Sequence, residues 1–556
     1  VNISRFAKTT DPDRFSVEGA GVVIRGLPFV RSELNGRDIF SANGGRELSF
    51  NDVSPELLGG VEVFKNATAD MIDGGISGTV NLVTRKPLDN PGLNFAGTVE
   101  ANYGDLAKEW SPAFSVLGSN TWDTNAGRFG IQFGYAQSEL ITRTDASQVT
   151  DPCYRAATLD GPCIRLNDVG SGGVSGDPNF TADNFPPAGS VLAPKGAGVR
   201  TTEFDRDRRA YSAIAQWESP DRRFLATFEF LRAEADLKLD EFAILALVND
   251  DNLFAIPGSP WEFDSNGVFQ SGVLTQISGR GGNDCAPGSL NVGGGTFPCN
   301  PQIGIATENL RFQREDDAKT QDFSLDLKWN PTDRLSFNLE GQHITSARDE
   351  NALIAVTQTY SDIFVDISGE TPIVEFRTPA TTDGSTDPGY FTNPDRTFYW
   401  FLLDNQIRNT GELTSFRGDV DYEVGEGFIK AARFGARWAD RKRETRDDQF
   451  ANWGNLSAPW LGNTQYASDF PGSSSVRNPF AQFQRGQSGS PLPGGQAIFF
   501  GGDNLVSEYL SGVTQQQADE IIIAWENSFP FFWDRSANGP FPTSWRPIVN
   551  PRAQSD

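Results

Sequence analysis

Val22 to Leu27 reads Val-Val-Ile-Arg-Gly-Leu, and the chain goes on through Leu34-Asn35-Gly36-Arg37, Ser54-Pro55-Glu56-Leu57-Leu58 and Val61-Glu62-Val63-Phe64-Lys65. From Gly74 to Pro87 it reads Gly-Gly-Ile-Ser-Gly-Thr-Val-Asn-Leu-Val-Thr-Arg-Lys-Pro. Val22 to Ile24 and Val61 to Phe64 are short apolar, β-branched runs bounded by Gly or Pro. Thr79 to Thr84 alternates until Pro87 ends it, so three short strands are expected. Between them Ser54 can cap a helix, Pro55 suits its first position, Glu56 favours the positive end of its dipole, and Gly59 with Gly60 offers a stop. Gly26 and Gly36 follow strand ends. Gly74, Gly75 and Gly78 crowd one turn and suggest positive φ or a close approach to another surface. The run is a small mixed α/β unit.

Downstream the pattern changes. Mean hydropathy is −0.40, and no stretch approaches the run of about 18 apolar residues that a transmembrane helix needs. A membrane β-barrel escapes that criterion, because its spans of about 10 residues alternate lipid-facing and lumen-facing side chains. In Asp322 to Trp329, Phe323, Leu325, Leu327 and Trp329 share one face and Asp322, Ser324, Asp326 and Lys328 the other. Leu335, Phe337 and Leu339 against Arg334, Asn338 and Glu340 repeat the arrangement.

Strands are expected near 93–103, 112–122, 127–137, 207–218, 222–235, 319–330, 334–347, 411–423 and 428–443. Their connections alternate. Asp123 to Ala126, Ser219 to Asp221, Pro331 to Asp333 and Val424 to Gly427 are tight, whereas 138–206, 236–318, 348–410 and the stretch from 444 are long. Short turns at one end and long loops at the other suit a barrel whose outer end gathers ligand. A soluble β-sandwich or secreted adhesin would also alternate, but its strands come every 8 to 12 residues or so. Four loops of this size fit it poorly.

The ordered motifs of residues 20–90 resemble the plug domain of TonB-dependent outer-membrane receptors, and residues 91–443 match that family in topology. Beyond 443 only composition is available. The Leu-Asn-Gly-Arg element ahead of Pro-Glu-Leu, followed by the Gly-Gly-Ile-Ser-Gly-Thr-Val-Asn-Leu run, is most similar to a large subgroup whose members import oligosaccharides or ferric siderophores. The resemblance implies a mainly β chain: a partial plug over 1–90 and the first part of a transmembrane antiparallel β-barrel over 91–556, from a barrel of about 22 strands when complete. It implies active import across the outer membrane of a Gram-negative bacterium, driven by a TonB-type periplasmic energy-coupling protein. Outer-membrane lipid, a small-molecule ligand and a monomeric state belong to the same expectation. The chain is expected to be a fragment, lacking the coupling segment and the last strands; an open half barrel would leave a sheet edge that a bilayer does not tolerate.

Arg25 and Lys65 match plug positions at which the family usually places arginines paired with barrel-wall glutamates. Lysine lacks the guanidinium fork, so Lys65 implies a looser latch. Glu62, in the Val-Glu-Val strand, needs a basic partner such as Arg85 or Lys86. Ordinary packing ion pairs within the domain are the alternative for all of these.

Cys153 with Cys163 and Cys285 with Cys299 form two close pairs, each inside one long loop. Disulfides persist outside the inner membrane and would restrain such loops. A metal site is the rival, but the C-x-x-C spacing is missing and His343 is the one histidine, which also weighs against haem capture. A single methionine disfavours a soft copper site. No cofactor or metal is expected.

The formal charge of −26 excludes a general affinity for nucleic acid, which needs a basic surface. It also repels anions at long range, leaving neutral sugars unaffected. Trp453, Trp460, Trp525 and Trp533 stand among Gly, Asn, Ser and Pro and can stack on sugar faces; packing within the loop or a membrane-interface girdle is the alternative. Composition thus leans toward an oligosaccharide, with a ferric siderophore or a signalling role of the same fold as alternatives. A passive porin or adhesin would lack residues 20–90. There is no nucleophile elbow, phosphate loop or zinc motif, so no enzyme is expected.

Overall fold

Period-two alternation of apolar and polar residues builds one large antiparallel sheet in the computed structural model. The structure describes residues 3–6, 21–42, 58–150, 152–159, 165–166, 174–175, 185–247, 253–255, 259–275, 290–297, 304–379, 389–446, 452–455, 466–469 and 474–501, apart from 28, 40, 70, 187, 293, 294, 426, 427, 493 and 495.

Gly21–Ile24, expected as a strand, pairs antiparallel with Ile3–Phe6, and a small four-stranded sheet follows. Its strands are β1 (Val30–Leu34), β2 (Arg37–Asp38), β3 (Leu58–Phe64) and β4 (Gly78–Thr84), in the order β2-β1-β4-β3. β1 runs parallel to β4, and the other pairings are antiparallel. Ile24, Val30, Leu34, Ile39, Val80 and Leu82 form its buried core. Gly78 is required where it stands: at φ +147° a Cβ there would lie 2.7 Å from the Phe64 carbonyl oxygen and 2.9 Å from Ile24 Cδ1. The strand over 30–34 gave no apolar signal, because Arg31, Ser32 and Glu33 fill its centre. The helix expected after Ser54 falls on 51–57, outside the described residues. Gly59 and Gly60, expected as its stop, instead lie in β3, where the register shifts between Leu58 and Gly60.

Nine strands in simple succession then form a wall: β5 (Asn94–Gly104), β6 (Glu109–Thr124), β7 (Gly127–Thr150), β8 (Gly196–Glu218), β9 (Phe224–Leu247), β10 (Ile305–Thr332), β11 (Leu335–Asp366), β12 (Phe398–Glu423) and β13 (Ala431–Glu444). Each pairs antiparallel with the next. All nine coincide with strands expected from the sequence, and the tight turns fall where expected. The long connections are a correction. β10 and β11 run for 28 and 32 residues, so much of 138–206, 236–318 and 348–410 is strand rather than loop. Parts of those extensions, such as Asp205-Arg206, are polar on both faces, while others bury Phe204, Leu239, Leu310, Phe312, Ile354 and Val356 in a cluster of their own.

The two faces of the wall differ. Away from the small sheet, Phe95, Val99, Phe133, Leu325, Leu339, Phe416 and Phe434 stand exposed, Val99 by 89% and Phe434 by 77%. Near the tight turns a row of rings crosses the strands: Phe129, Trp217 and Phe224 at 6.5 and 5.6 Å, then Trp329 stacked on Phe337 at 5.4 Å. Six residues further along, about 20 Å of strand, Tyr135 lies 5.7 Å from Phe114 and 5.1 Å from Tyr211. Past this second row the apolar face ends on every strand at one register, Tyr211–Arg232–Gln321–Thr345–Glu412–Lys442. Beyond it, segment 474–501 packs on the same face. The Gln484 N–H donates to Asp145 at 2.9 Å, Thr357 Oγ1 donates to the Phe499 carbonyl at 3.0 Å, and the Phe500 ring meets Phe242 at 5.1 Å.

Candidate functional site: the contact between the small sheet and the wall

Asn35 and Gly36 make the two-residue turn between β1 and β2, with φ of +52° and +77°. That left-handed pair is what Asn-Gly adopts readily, and it closes a tight hairpin. Asn35 is locked by its neighbours: its N–H donates to the Leu82 carbonyl at 2.7 Å, its Oδ1 accepts from the Thr84 N–H at 3.0 Å, and its Nδ2 donates to Thr84 Oγ1 at 2.8 Å. The Gly36 N–H donates to Asn81 Oδ1 at 2.8 Å. The turn therefore presents its outer atoms to the wall in a fixed pose.

Glu229 of β9 meets it there. Arg37 Nη2 lies 3.0 Å and Asn35 Nδ2 2.7 Å from Glu229 Oε2, while Lys86 Nζ lies 3.6 Å from Oε1. Burial makes this carboxylate dependent on its donors, since an ion taken from water is costly unless it is paired and hydrogen-bonded. Asp38 continues the contact, pairing with Arg31 of the small sheet and Arg437 of β13. Gln342 of β11 donates to the Asp38 carbonyl at 3.0 Å and to Asp322 at 2.8 Å. At Ala42 the backbone is held on both sides, its N–H donating to Ser346 Oγ at 2.8 Å and its carbonyl accepting from Asn409 at 3.1 Å. Behind β4, Gln132 donates to the Arg85 carbonyl at 2.8 Å, and Gln216 Oε1 accepts from the Leu88 N–H at 3.0 Å. Residues 35–42 and 85–88 thus touch β7, β8, β9, β11, β12 and β13. Inside the small sheet, burial raises the Glu33 carboxyl above its usual range, against the pull of Arg31, whose Nε donates to it at 2.9 Å.

The residues singled out in the sequence are placed as follows. Arg25, with Gly26, occupies the exposed turn after Ile24 and donates to Asn66 Oδ1 at 3.4 Å. Lys65 and Glu62 are exposed, and Glu62 accepts from Asn81 Nδ2 at 2.9 Å. Arg85 donates to the Leu58 carbonyl at 3.2 Å. These bonds stay within the small sheet, whereas the side chains of Asn35, Arg37, Asp38 and Lys86 bond or pair with the wall. Gly74 and Gly75 pack against Arg31, and Gly36 belongs to the turn just described. Cys153 is disulfide-bonded; Cys163, Cys285 and Cys299 lie outside the described residues. Trp453 sits in the strand Asn452–Asn455, paired with β12 at Leu403, while Trp460, Trp525 and Trp533 lie outside the described residues. Arg37 and Glu229 were missed as a pair, although Arg37 ends the quoted Leu-Asn-Gly-Arg element. Glu229 is the one charged side chain on its face of β9 among Leu225, Thr227, Leu231 and Ala233. Among the described residues no helix is long and apolar enough to cross a membrane, and no group of three or more His, Cys, Asp or Glu is placed to hold a metal ion.

No protein-family model matches the chain, and no curated protein matches it. Among solved structures, the unliganded ferric citrate transporter FecA is 10% identical, over 78% of this chain and 73% of its own, with a TM-score of 0.21. The siderophore receptor PirA from Pseudomonas aeruginosa is 10% identical over 77% and 84%, at 0.19. The copper transporter OprC is 9% identical over 80% and 71%, also at 0.19. Scores this low leave the case to the geometry of the chain itself.

Proposed function

We propose that the chain is the plug and part of the barrel wall of a TonB-dependent importer in the outer membrane of a Gram-negative bacterium. The observation that carries this reading is the docking of a small sheet, through a buried Arg37–Glu229 pair, on the polar face of a nine-strand wall whose opposite face is apolar. Exposed aromatic and aliphatic side chains bounded by two rows of rings suit lipid on that side. A folded domain filling the polar side suits a gated path better than an open pore. In this reading residues 1–90 are the plug, residues 91–556 belong to the barrel, and a periplasmic energy-coupling protein pulls on the plug to open the way. The cargo is a small ligand taken up at the outer end, an oligosaccharide first and a ferric siderophore second. Chemistry on the cargo is no part of the proposal.

The test is uptake by cells carrying the complete gene, with labelled maltodextrin, labelled oligogalacturonide and a labelled ferric siderophore, with and without a protonophore. Protonophore-sensitive uptake of any one supports energised import and names its class. Uptake that ignores the protonophore overturns it.

A further inference from the structure

Three buried carboxylates step along the inward face of the wall where the small sheet is seated. Glu229 of β9 lies opposite Ser324 of β10 in the register. Two residues along β10 in either direction, Asp322 lies opposite Leu231 and Asp326 opposite Thr227, with Glu340 of β11 opposite Asp326 in turn. Asp322 is thus one row toward the outer end, and Asp326 with Glu340 one row toward the tight turns. One row is two residues, about 7 Å of strand. Glu229, Asp322 and Asp326 are 5%, 5% and 6% exposed. Each keeps one oxygen that accepts no hydrogen bond among the described residues, Oε1 of Glu229 and Oδ1 of each aspartate. Arg37 sits on the middle step. Its Nη2 bonds Glu229, while its Nε donates to no group among the described residues. A cavity lies on each side of it, one shared with Glu229, Asp322 and Ser324, the other with Asp38, Glu340, Gln342 and Arg417. Each has about 10 Å³ of room, enough for one water, so packing does not clamp the guanidinium. Lys86 is held differently. The Arg85 carbonyl and the Leu88 N–H on either side of it bond to Gln132 and Gln216 of the wall, and its Nζ lies 3.6 Å from Glu229. Arg37 belongs to the β1–β2 hairpin, whereas Lys86 is tethered to the wall.

We propose that Arg37 is a stepping cation: under load toward the tight turns it passes from Glu229 to Asp326 and Glu340, and Lys86 takes over Glu229. The small sheet then shifts by one row along the wall, still folded, before it comes free. The inference rests on the import reading for the load and its direction. Removing one partner of a buried pair strands the other charge, which is the costly way to break it. A hand-over avoids this, because Glu229 keeps a cation throughout and the guanidinium arrives at a carboxylate with an open oxygen. Lys328 leaves that oxygen free, since it lies 3.6 Å from Oδ2 of Asp326 rather than Oδ1. Glu340 is held only by a long bond of 3.4 Å from Asn338 to its Oε1. A forked guanidinium can bond both carboxylates where they face each other across the two strands.

The experiment is single-molecule pulling on the receptor in a supported bilayer, from the periplasmic face, through a cysteine in the variant Arg25→Cys, an exposed position ahead of β1. An extension step of about 7 Å, one row of the wall, is expected before the larger extensions of unfolding. Asp326→Asn/Glu340→Gln is expected to abolish the step, and Asp322→Asn, on the opposite side of Glu229, to leave it unchanged. Asp326→Asn alone, the milder change, is expected to make the step rarer, so the outcome does not hang on the double variant's folding. Lys86→Gln is expected to move the step to higher force. Unchanged heat-modifiable mobility on gels shows which variants fold. Unfolding with no earlier step, a step that survives in a folded double variant and in Asp326→Asn, or one that Asp322→Asn removes as completely overturns the inference. Pulling needs neither cargo nor an energy source. A step found together with protonophore-insensitive uptake would sink the import reading and leave the stepping cation standing, and energised uptake without the step would do the reverse.

Discussion

Arg37 of the small sheet and Glu229 of the wall lie 3.0 Å apart across 192 residues of sequence, with side chains only 5% and 7% exposed. Their pairing joins a hairpin with a two-residue turn to the largest sheet among the described residues. Arg37→Ala strips a buried carboxylate of its closest cation and leaves Lys86 at 3.6 Å. The expected loss of stability is about 3 kcal/mol. Replacing both partners with apolar residues, Arg37→Met with Glu229→Leu, should cost less than Arg37→Ala alone. Thermal unfolding in detergent decides it, and a double variant as unstable as the sum of its parts would refute the pairing.

Arg25 and Lys65 provide the contrast. Both are exposed, and the Arg25 bond to Asn66 is long at 3.4 Å. Alanine at either position should change stability by no more than about 0.5 kcal/mol. A loss like that of Arg37→Ala, in the same melting experiment, would restore the latch to the positions where the family resemblance puts it.

Gly78→Ala places a methyl group 2.7 Å from the Phe64 carbonyl oxygen at a φ of +147°. Strain and overlap together should cost about 2 kcal/mol or more. Limited proteolysis of the small sheet, with the wall as internal control, is expected to show earlier cleavage in the variant. Unchanged cleavage would mean that the sheet shifts to make room.

The end of the apolar face can be located by charge. Phe133→Arg, within the apolar face, should cost about 2–4 kcal/mol of folding into lipid vesicles, and Glu139→Arg, past the boundary, less than about 1 kcal/mol. Equal costs would mean that the register row through Tyr211 and Arg232 does not mark the lipid surface.

Outside the wall, the Arg485 guanidinium holds the Asp105 carboxyl below its usual range, by bonds of 2.7 and 3.2 Å at an exposed corner. A carboxylate with a depressed folded pKa contributes above its unfolded pKa, and the contribution fades as pH falls through the depressed value. Amide exchange near Arg485 should therefore quicken at pH 3 relative to pH 7 after correction for intrinsic rates, and Asp105→Asn should lessen the difference. Equal protection at both pH values would show that the corner is held by Phe480 and Phe483 alone.

How far each element could be seen in the sequence follows its environment. Phe323-Ser324-Leu325-Asp326-Leu327 separates a dry face from a wet one, so its strand was plain. Glu203 to Arg206 continue the strand expected from 207 with the same backbone geometry, but Asp205 and Arg206 put polar groups on both faces, so that extension carried no hydropathy period. Val30–Leu34 stayed hidden because Arg31 and Glu33 are spent on ion pairs inside the sheet. The partner of Arg37 could not be read, because a side-chain contact across 192 residues leaves no local trace.

The parallel pairing of β1 with β4 has a mechanical consequence. Tension arriving through the chain ahead of Val30 enters β1 at the end where β4 also begins, while β4 is tethered past its far end through Arg85 and Leu88 to the wall. Along the strand axis such a load shears the whole ladder from Val30 to Leu34 at once and does not unzip it rung by rung. The sheet then resists as a block, and the load passes to its contacts with the wall, Glu229 among them.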